Sequence, residues 1–546
     1  MRLFFPLLTA IAVATLSGCS SREDSFSGAS EGSLTNQTTL QSRLTTSSPF
    51  DPDLLLRIQF GGTTRIITDS NTNYFKKLSQ LPETEMLGRH VAELMARLPG
   101  RLIVEDSPHA TESAARAAKV LEPVFAELMK RGFVLELRGT SNGVNRMMLA
   151  VKGPSATEQS WSRSYVQAAN CWFANETNLA SSLEWQLQEN GRSMRVWQTN
   201  AWLMLEIAEM APVPSIQKGD LPRLPSEAVQ SKTNPVLSVE MAPFLLPHSI
   251  RRAEYGNFAR FHFQVAATDQ GFKVQGAIHY DHDLPAAGST LVVPTKIIGN
   301  PTVSFTAVRS PDRWVAPGSG IRDFLPVPIP REIYFWGTAE APFCFFAAGR
   351  LDQKELQMQY VRRLAPKLQE LANQADAGNV TTAPDGQELF WQGMPFVTPN
   401  VKAIVQDNIH YAVAGLAPQA ESTNSFPKPL LQRIEQHPNL VLYDWEFTSP
   451  RLTGWLYISQ LALMLSHSQQ LSESSPSLKW ILAVQHALPE GGNTVTEITQ
   501  TGPRELSFER RASLGFTSAE IIWLANWLES SNFPAANFVM PTKTGL

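Results

Sequence analysis

Asn234-Pro-Val-Leu-Ser-Val-Glu240 and Pro438-Asn-Leu-Val-Leu-Tyr-Asp444 are the two stretches on which the reading of this chain turns. Each opens on an Asn/Pro pair, which steers the backbone away from helix. Each continues as an apolar run of strand-forming residues. Working outward, similar elements surround both. Before the first lie two helical patterns, at 83–98 and 111–131. Met86, Leu87, Val91, Leu94, Met95 and Leu98 recur there at helical spacing. A hairpin follows, 134–137 with 147–151 across a polar turn. Strand-like runs come next at 182–188 and 194–198, and 202–210 reads as strand or helix. After the first stretch, 259–266 and 272–280 pair across Thr268-Asp269-Gln270-Gly271.

The second stretch has the same setting. A strand at 343–348 precedes a helix at 351–372, which Pro366 is expected to kink or divide. A hairpin joins 401–406 to 410–414 across Asp407-Asn408, and a short helix covers 430–436. The strand at 440–447 is followed by helices at 452–465 and 478–488. A hairpin joins 495–499 to 505–510 across Gly502-Pro503, and a helix at 518–528 ends the series. This order suggests an internal duplication. The expected fold class is α+β, two degenerate lobes of antiparallel sheet with packed helices. Four hairpins argue against a parallel, doubly wound sheet, which needs crossover connections throughout. The expected division is an N-terminal lobe at 48–310, a proline-rich connector at 311–330 and a C-terminal lobe at 331–546.

The first residues carry a different message. Arg2 precedes an apolar run, 3–16, that is shorter than the roughly 20 residues of a membrane-spanning helix. A secretory signal fits better. The run ends in Leu16-Ser17-Gly18-Cys19. This stretch resembles the lipobox of bacterial lipoproteins. The resemblance implies a signal peptide at 1–18, cleavage before Cys19 and lipid attachment to that residue. It implies three acyl chains, and two or more suffice for stable anchoring. Ser20 follows the cysteine where aspartate would favour retention at the inner membrane, so the pattern implies the outer membrane. Residues 19–47 are rich in Ser, Thr and Gly and read as a flexible tether, spanning roughly 30 Å.

Composition excludes rather than assigns. The net charge of −4 offers no basic excess for nucleic acid. Beyond Cys19 the only cysteines are Cys171 and Cys344, both in aromatic settings, so either a bridge or two buried thiols is open. Two cysteines alone make no zinc site. No G-x-G-x-x-G, Walker A, G-x-S-x-G or H-E-x-x-H motif is present, and no cofactor or metal is expected.

Three constellations carry candidate chemistry. Ser215-Ile-Gln-Lys218, Tyr255-Gly-Asn257 and Lys543-Thr-Gly545 resemble the three motifs of penicillin-binding proteins. The first sits among Pro212, Pro214 and Pro222, where the nucleophile helix that the motif requires cannot form. His279, Asp281 and Asp283 would share a strand face as metal ligands, but the strand ends there. Asp444 and Glu446 share one face of a strand, opposite Tyr443, Trp445 and Phe447. Paired carboxylates can act on a glycoside, and the same pattern also suits a strand with an acidic, solvated face. Thirteen tryptophans fall in two groups, 161–202 and 314–527, read mostly as core with some able to line a groove.

The sequence therefore implies a lipid-anchored envelope protein, with no recognised catalytic motif, whose work is non-enzymatic binding or scaffolding at the membrane surface. Its ligand could be protein, glycan or lipid. The alternatives are an envelope hydrolase of glycan or peptidoglycan using Asp444 and Glu446, and a carrier of an apolar ligand held between the lobes.

Overall fold

The computed structural model describes residues between 51 and 530, except 67–72, 104–107, 173–184, 210–234, 244–250, 419–425, 466–473, 488–491 and several shorter stretches. Residues 1–50 and 531–546, including Cys19, the tether, Lys543 and Gly545, lie outside the described residues, as do Ser215 and Lys218.

The strands of the first half are β1 (Leu54–Phe60), β2 (Phe133–Thr140), β3 (Gly143–Lys152), β4 (Trp185–Glu189), β5 (Arg192–Thr199), β6 (Trp202–Glu209), β7 (Leu237–Met241), β8 (Arg260–Thr268) and β9 (Gly271–His279). Those of the second are β10 (Thr302–Arg309), β11 (Glu332–Thr338), β12 (Phe345–Leu351), β13 (Asn379–Thr382), β14 (Glu388–Gln392), β15 (Asn400–Gln406), β16 (Ile409–Gly415), β17 (Leu440–Phe447), β18 (Asn493–Gly502) and β19 (Glu505–Ala512). All nineteen belong to one sheet, and every pairing is antiparallel.

The first half runs β4-β5-β6-β3-β2-β1-β7-β8-β9 across the sheet. The second runs β13-β14-β15-β16-β12-β11-β10-β17-β18-β19. With the extra edge strand β13 set aside, the two orders are the same, strand for strand in chain sequence. The chain is a tandem repeat, and β9 pairs with β19 to join its copies. The two Asn/Pro-led stretches lead into β7 and β17, which hold equivalent places. The repeats meet along the chain at 280–301. The proline-rich 311–330 lies inside the second repeat, between β10 and β11, where it forms a short helix α5 (Pro311–Trp314) and a 3-10 turn at Gly320–Phe324.

The remaining helices are α1 (Asn73–Ser79), α2 (Pro82–Ile103), α3 (Pro108–Arg131), α4 (Ser155–Trp172), α6 (Lys354–Gln374), α7 (Lys428–Gln436), α8 (Thr448–Leu465), α9 (Pro476–Ala487) and α10 (Ser518–Leu528). Helices α4 and α6 occupy equivalent places, each following the third strand of its repeat. Helix α6 continues through Pro366 rather than breaking there. Proline removes one backbone donor, and the packing of Tyr360, Val361 and Leu364 on Leu389 and Val401 holds the turns on either side. A capping box at Thr517 and Glu520 starts α10.

The main core is shared by both repeats. Ile58, Val239 and Phe263 of the first repeat's sheet belong to one cluster with Leu87 and Val91 of α2, Ile481 and Val484 of α9 and Ile521 and Leu524 of α10. Trp480 Nε1 on α9 donates to Thr84 Oγ1 on α2 at 3.0 Å, and Thr84 Oγ1 donates to Leu78 O at 2.7 Å, all buried. A second cluster, rich in aromatics, lies on the opposite face of the second repeat. It joins Phe305, Trp336, Phe346 and Trp445 to Leu430 and Ile434 of α7. No helix among the described residues is long and apolar enough to cross a membrane.

A shared core makes the repeats unfold together. Thr84→Val keeps the shape but strands the Trp480 N–H and leaves the Leu78 carbonyl with only its bond from the Leu81 N–H. It should lower stability by about 1–3 kcal/mol in urea while leaving a single transition. Two separated transitions, in the wild type or the variant, would contradict a common core.

Candidate functional site

Asp444 and Glu446 lie on β17 and face the helical layer together, as the strand period requires. Tyr443 and Trp445 point to the aromatic cluster on the other side, and Phe447 is exposed at the strand end. The acidic face is turned inward rather than solvated, with Glu446 buried and Asp444 half-buried. Thr306 Oγ1 on β10 donates to Asp444 Oδ1 at 2.6 Å. Glu446 is 3% exposed, and its Oε1 accepts from both the backbone N–H and the hydroxyl of Ser518, at 2.6 and 2.7 Å. Ser518 opens α10, so Glu446 places a carboxyl at the positive end of that helix.

Two arginines complete the cluster. Arg451 on α8 lies with Nε 4.0 Å from Glu446 Oε2, and its guanidinium sits over the rings of Phe345 and Trp455 at 3.9 and 4.9 Å. Arg510 on β19 forks onto Glu520 at 2.7 and 2.9 Å and donates to Thr496 Oγ1 at 2.8 Å. Arg451 Nη1 and Ser304 Oγ are buried without a hydrogen-bond partner among the described residues. Both pack on Gly337, where an added Cβ would lie 3.0 Å from each.

Three carboxyls therefore meet two guanidiniums, with Glu446, Arg451 and Arg510 buried and Asp444 and Glu520 half-buried, and the surplus is settled by protonation. Burial, then the neighbouring Asp444, pushes Glu446 up to about 8. Burial raises Asp444 and Glu520 as well, against the pull of Arg510 on both. Burial also lowers Arg451 to about 10. Glu446 thus holds a proton at neutral pH.

The tandem repeat supplies an internal comparison. The β8–β9 and β18–β19 turns are each two residues long, bounded by Thr268–Gly271 and Gly502–Glu505. Counted from these turns, Gly276 corresponds to Arg510. The pairing then carries the correspondence across the sheet. Phe335, Thr306, Asp444, Thr496 and Arg510 form one cross-strand row in the second repeat. Its counterpart in the first is Leu135, Ile58, Val239, Phe263 and Gly276. In the next row, Gly337, Ser304 and Glu446 correspond to Leu137, Leu56 and Met241. Positions that are apolar core in one repeat hold the charged cluster in the other.

The opposite face is reversed. In the first repeat its row reads Glu206, Met148, Glu136, Arg57, Glu240 and His262. In the second it reads Gly415, Phe346, Trp336, Phe305, Trp445 and Val495. Glu136 is fully buried, 2.6 Å from Arg57 and 3.3 Å from Arg138. Arg146 pairs with Glu206, and Arg138 pairs with Asp51 at 2.8 Å. Burial holds His262 below the ordinary histidine range.

The other sequence candidates are separated. His279 lies 3.4 Å from Glu505, Asp281 bonds His282 at 2.8 Å and Asp283 bonds Arg504 at 2.5 Å, so three residues serve three partners. Tyr255 is buried in a 3-10 turn against Trp314. Cys171 and Cys344 are free thiols.

Two described spaces bear on ligand binding, and neither is lined by Asp444 or Glu446. A groove of about 540 Å³ lies between α7 and β17–β19, with Tyr443, Trp445 and Leu430 on its walls and the ion pairs Arg433–Glu497 and Arg511–Glu509 at its rim. The apolar space where α2, α9 and α10 meet holds about 20 Å³, the scale of one water. No protein-family model matches the chain, and no curated protein or solved structure matches it.

The charge balance has a measurable consequence. The folded chain holds the Glu446 proton more tightly than the unfolded chain, whose carboxyl titrates near its ordinary value of 4.5. This group therefore favours folding most at acid pH, and the advantage is lost as pH rises from about 4.5 to about 8. Glu446→Gln fixes the neutral form, so its melting temperature should fall less than that of the wild type as pH rises from about 5 to about 8. Parallel pH profiles would show that Glu446 does not hold the proton.

Proposed function

We propose that this chain is a lipid-anchored protein of the bacterial cell envelope, held at the outer membrane through Cys19, whose work is non-enzymatic binding or scaffolding. The Leu16–Cys19 pattern supports the anchor and Ser20 supports the outer membrane. In the folded body, the reading rests on one observation above the others. The best candidate acid pair is committed to internal bonds, Glu446 to Ser518 and Asp444 to Thr306, and lines neither described space. The groove beside α7 offers what a binding surface needs instead, an aromatic wall with charged groups at its rim.

One observation favours the hydrolase alternative. Burying charges where the sister repeat is apolar costs stability unless the charges serve another purpose. Catalysis is one such purpose, but it needs substrate at both carboxyls, and the bonds of Glu446 to the start of α10 oppose that. The carrier alternative draws little support from the 20 Å³ space between the helices.

The anchor is tested by Cys19→Ala expressed in a Gram-negative host and followed by membrane fractionation. The variant should move to the soluble fraction while the wild type stays with membranes. A processed variant that remained membrane-bound would contradict Cys19 as the anchor.

A further inference from the structure

A third space, of about 450 Å³, opens where the chain leaves the first repeat. Arg251 and Arg252 precede the 3-10 turn at Glu254–Gly256, His282 follows β9, and Asp312 and Arg322 come from α5 and the turn after it. The acids nearby are mostly engaged elsewhere. Glu254 lies 3.6 Å from Arg313, Asp281 bonds His282 at 2.8 Å and Asp283 bonds Arg504 at 2.5 Å. Of the acids lining the pocket, that leaves Asp312 against the guanidiniums of Arg252 and Arg322, a balance of one positive charge.

The lining is held in place. Arg322 donates through Nε and Nη2 to Val315 O at 3.2 and 3.1 Å, and through Nη2 to Asp312 O at 3.0 Å, which fixes the plane of its guanidinium. Tyr255 and Trp314 pack edge to face at 4.9 Å behind the pocket, and the His282 ring packs on Tyr280 at 5.5 Å. Arg252 is exposed and makes no ion pair among the described residues. Arginine suits an oxyanion because its planar fork can give two bonds to one group; Arg252 brings such a fork, and Arg322, with Nε and Nη2 held by backbone carbonyls, offers Nη1.

We propose that this pocket binds a phosphate monoester, gripped by Arg252 and Arg322, with Asp312 weakening the affinity. The size suits a phosphorylated headgroup or a small phosphorylated solute. The two sources share the same chemistry and differ only in whether the phosphate stands on a lipid. The inference does not depend on the binding role proposed above, because the groove beside α7 shares no residue with this pocket.

The test uses the full chain carrying Cys19→Ala, so that the anchor does not mask binding. Inorganic phosphate is titrated calorimetrically in 150 mM salt, and flotation is measured with phosphatidylcholine vesicles with and without phosphatidic acid. Arg252→Glu should weaken phosphate binding by about tenfold or more, and Asp312→Asn should tighten it severalfold. Unchanged melting temperatures confirm that both variants fold, and Arg89→Glu, on an exposed stretch of α2, should bind as the parent does. Flotation that requires phosphatidic acid and is lost in Arg252→Glu assigns the phosphate to a lipid. Phosphate binding without flotation assigns it to a solute. No phosphate binding, or binding equal in the parent and Arg252→Glu (an adventitious ion only), overturns the proposal.

Discussion

The antiparallel pairing of β9 with β19 is the constraint on which the rest of the molecule depends. It runs from Glu505 opposite His279 to Ala512 opposite Phe272 and makes two nine-strand patterns into one sheet. The register also keeps the faces continuous, with Leu506 and Phe508 joining the core that Val274 and Phe263 enter from the other side. A slip of one residue would turn that whole set outward. The helices follow from the same pairing. Once β19 is in place, α9 and α10 lie over the first repeat's helices, and Trp480 can reach Thr84.

Joined in this way, the repeats place their buried charges on opposite faces. The first puts Glu136, Arg57, Glu240 and Glu206 on the face away from its helices. The second puts Asp444, Glu446, Arg451 and Arg510 beneath its helices and packs aromatics on the other side. Each arrangement shows that the topology tolerates apolar residues where the other repeat has charges. The fold does not itself demand either cluster. Buried ion pairs are weak sources of net stability, so their placement is better understood as what distinguishes two copies of one pattern. At the second site Gly337 is part of the change. Leucine stands at the equivalent position, and only the missing side chain lets the Arg451 guanidinium and Ser304 pack there.

Much of this architecture was legible from local signals. The hairpins at 259–280, 400–415 and 493–512 follow from turn residues between alternating runs, and Asp407 and Asn408 adopt the positive φ such a turn requires. The likeness of 234–240 to 438–444 pointed to strands that hold equivalent positions. Strands β1 and β10 went unread because no hairpin turn marks them. Their partners stand far along the chain, as when Ile58 pairs with both Leu135 and Val239. Helix α4 was missed because Ser, Gln and Arg interrupt its apolar positions. The strand period correctly put Asp444 and Glu446 on one face. Their burial was not readable, since it depends on Thr306 and Ser518, which lie 138 and 72 residues away. The lobe boundary was misjudged for a related reason. Proline richness at 311–330 marks an excursion inside the second repeat, whereas the change of repeat at 280–301 has the weaker sign of Pro285, Pro294 and Pro301.

The most direct test of the reciprocal-repeat account is to give the second repeat the chemistry of the first at one rung. The double variant Thr306→Ile, Asp444→Val copies Ile58 and Val239. It removes one carboxyl and leaves Glu446 and Glu520 to balance Arg451 and Arg510. Equilibrium unfolding in urea should show stability equal to or above that of the wild type. A loss of about 3 kcal/mol or more, the scale expected when a buried charge is left unpaired, would show that the cluster is integral to the second repeat and contradict the equivalence.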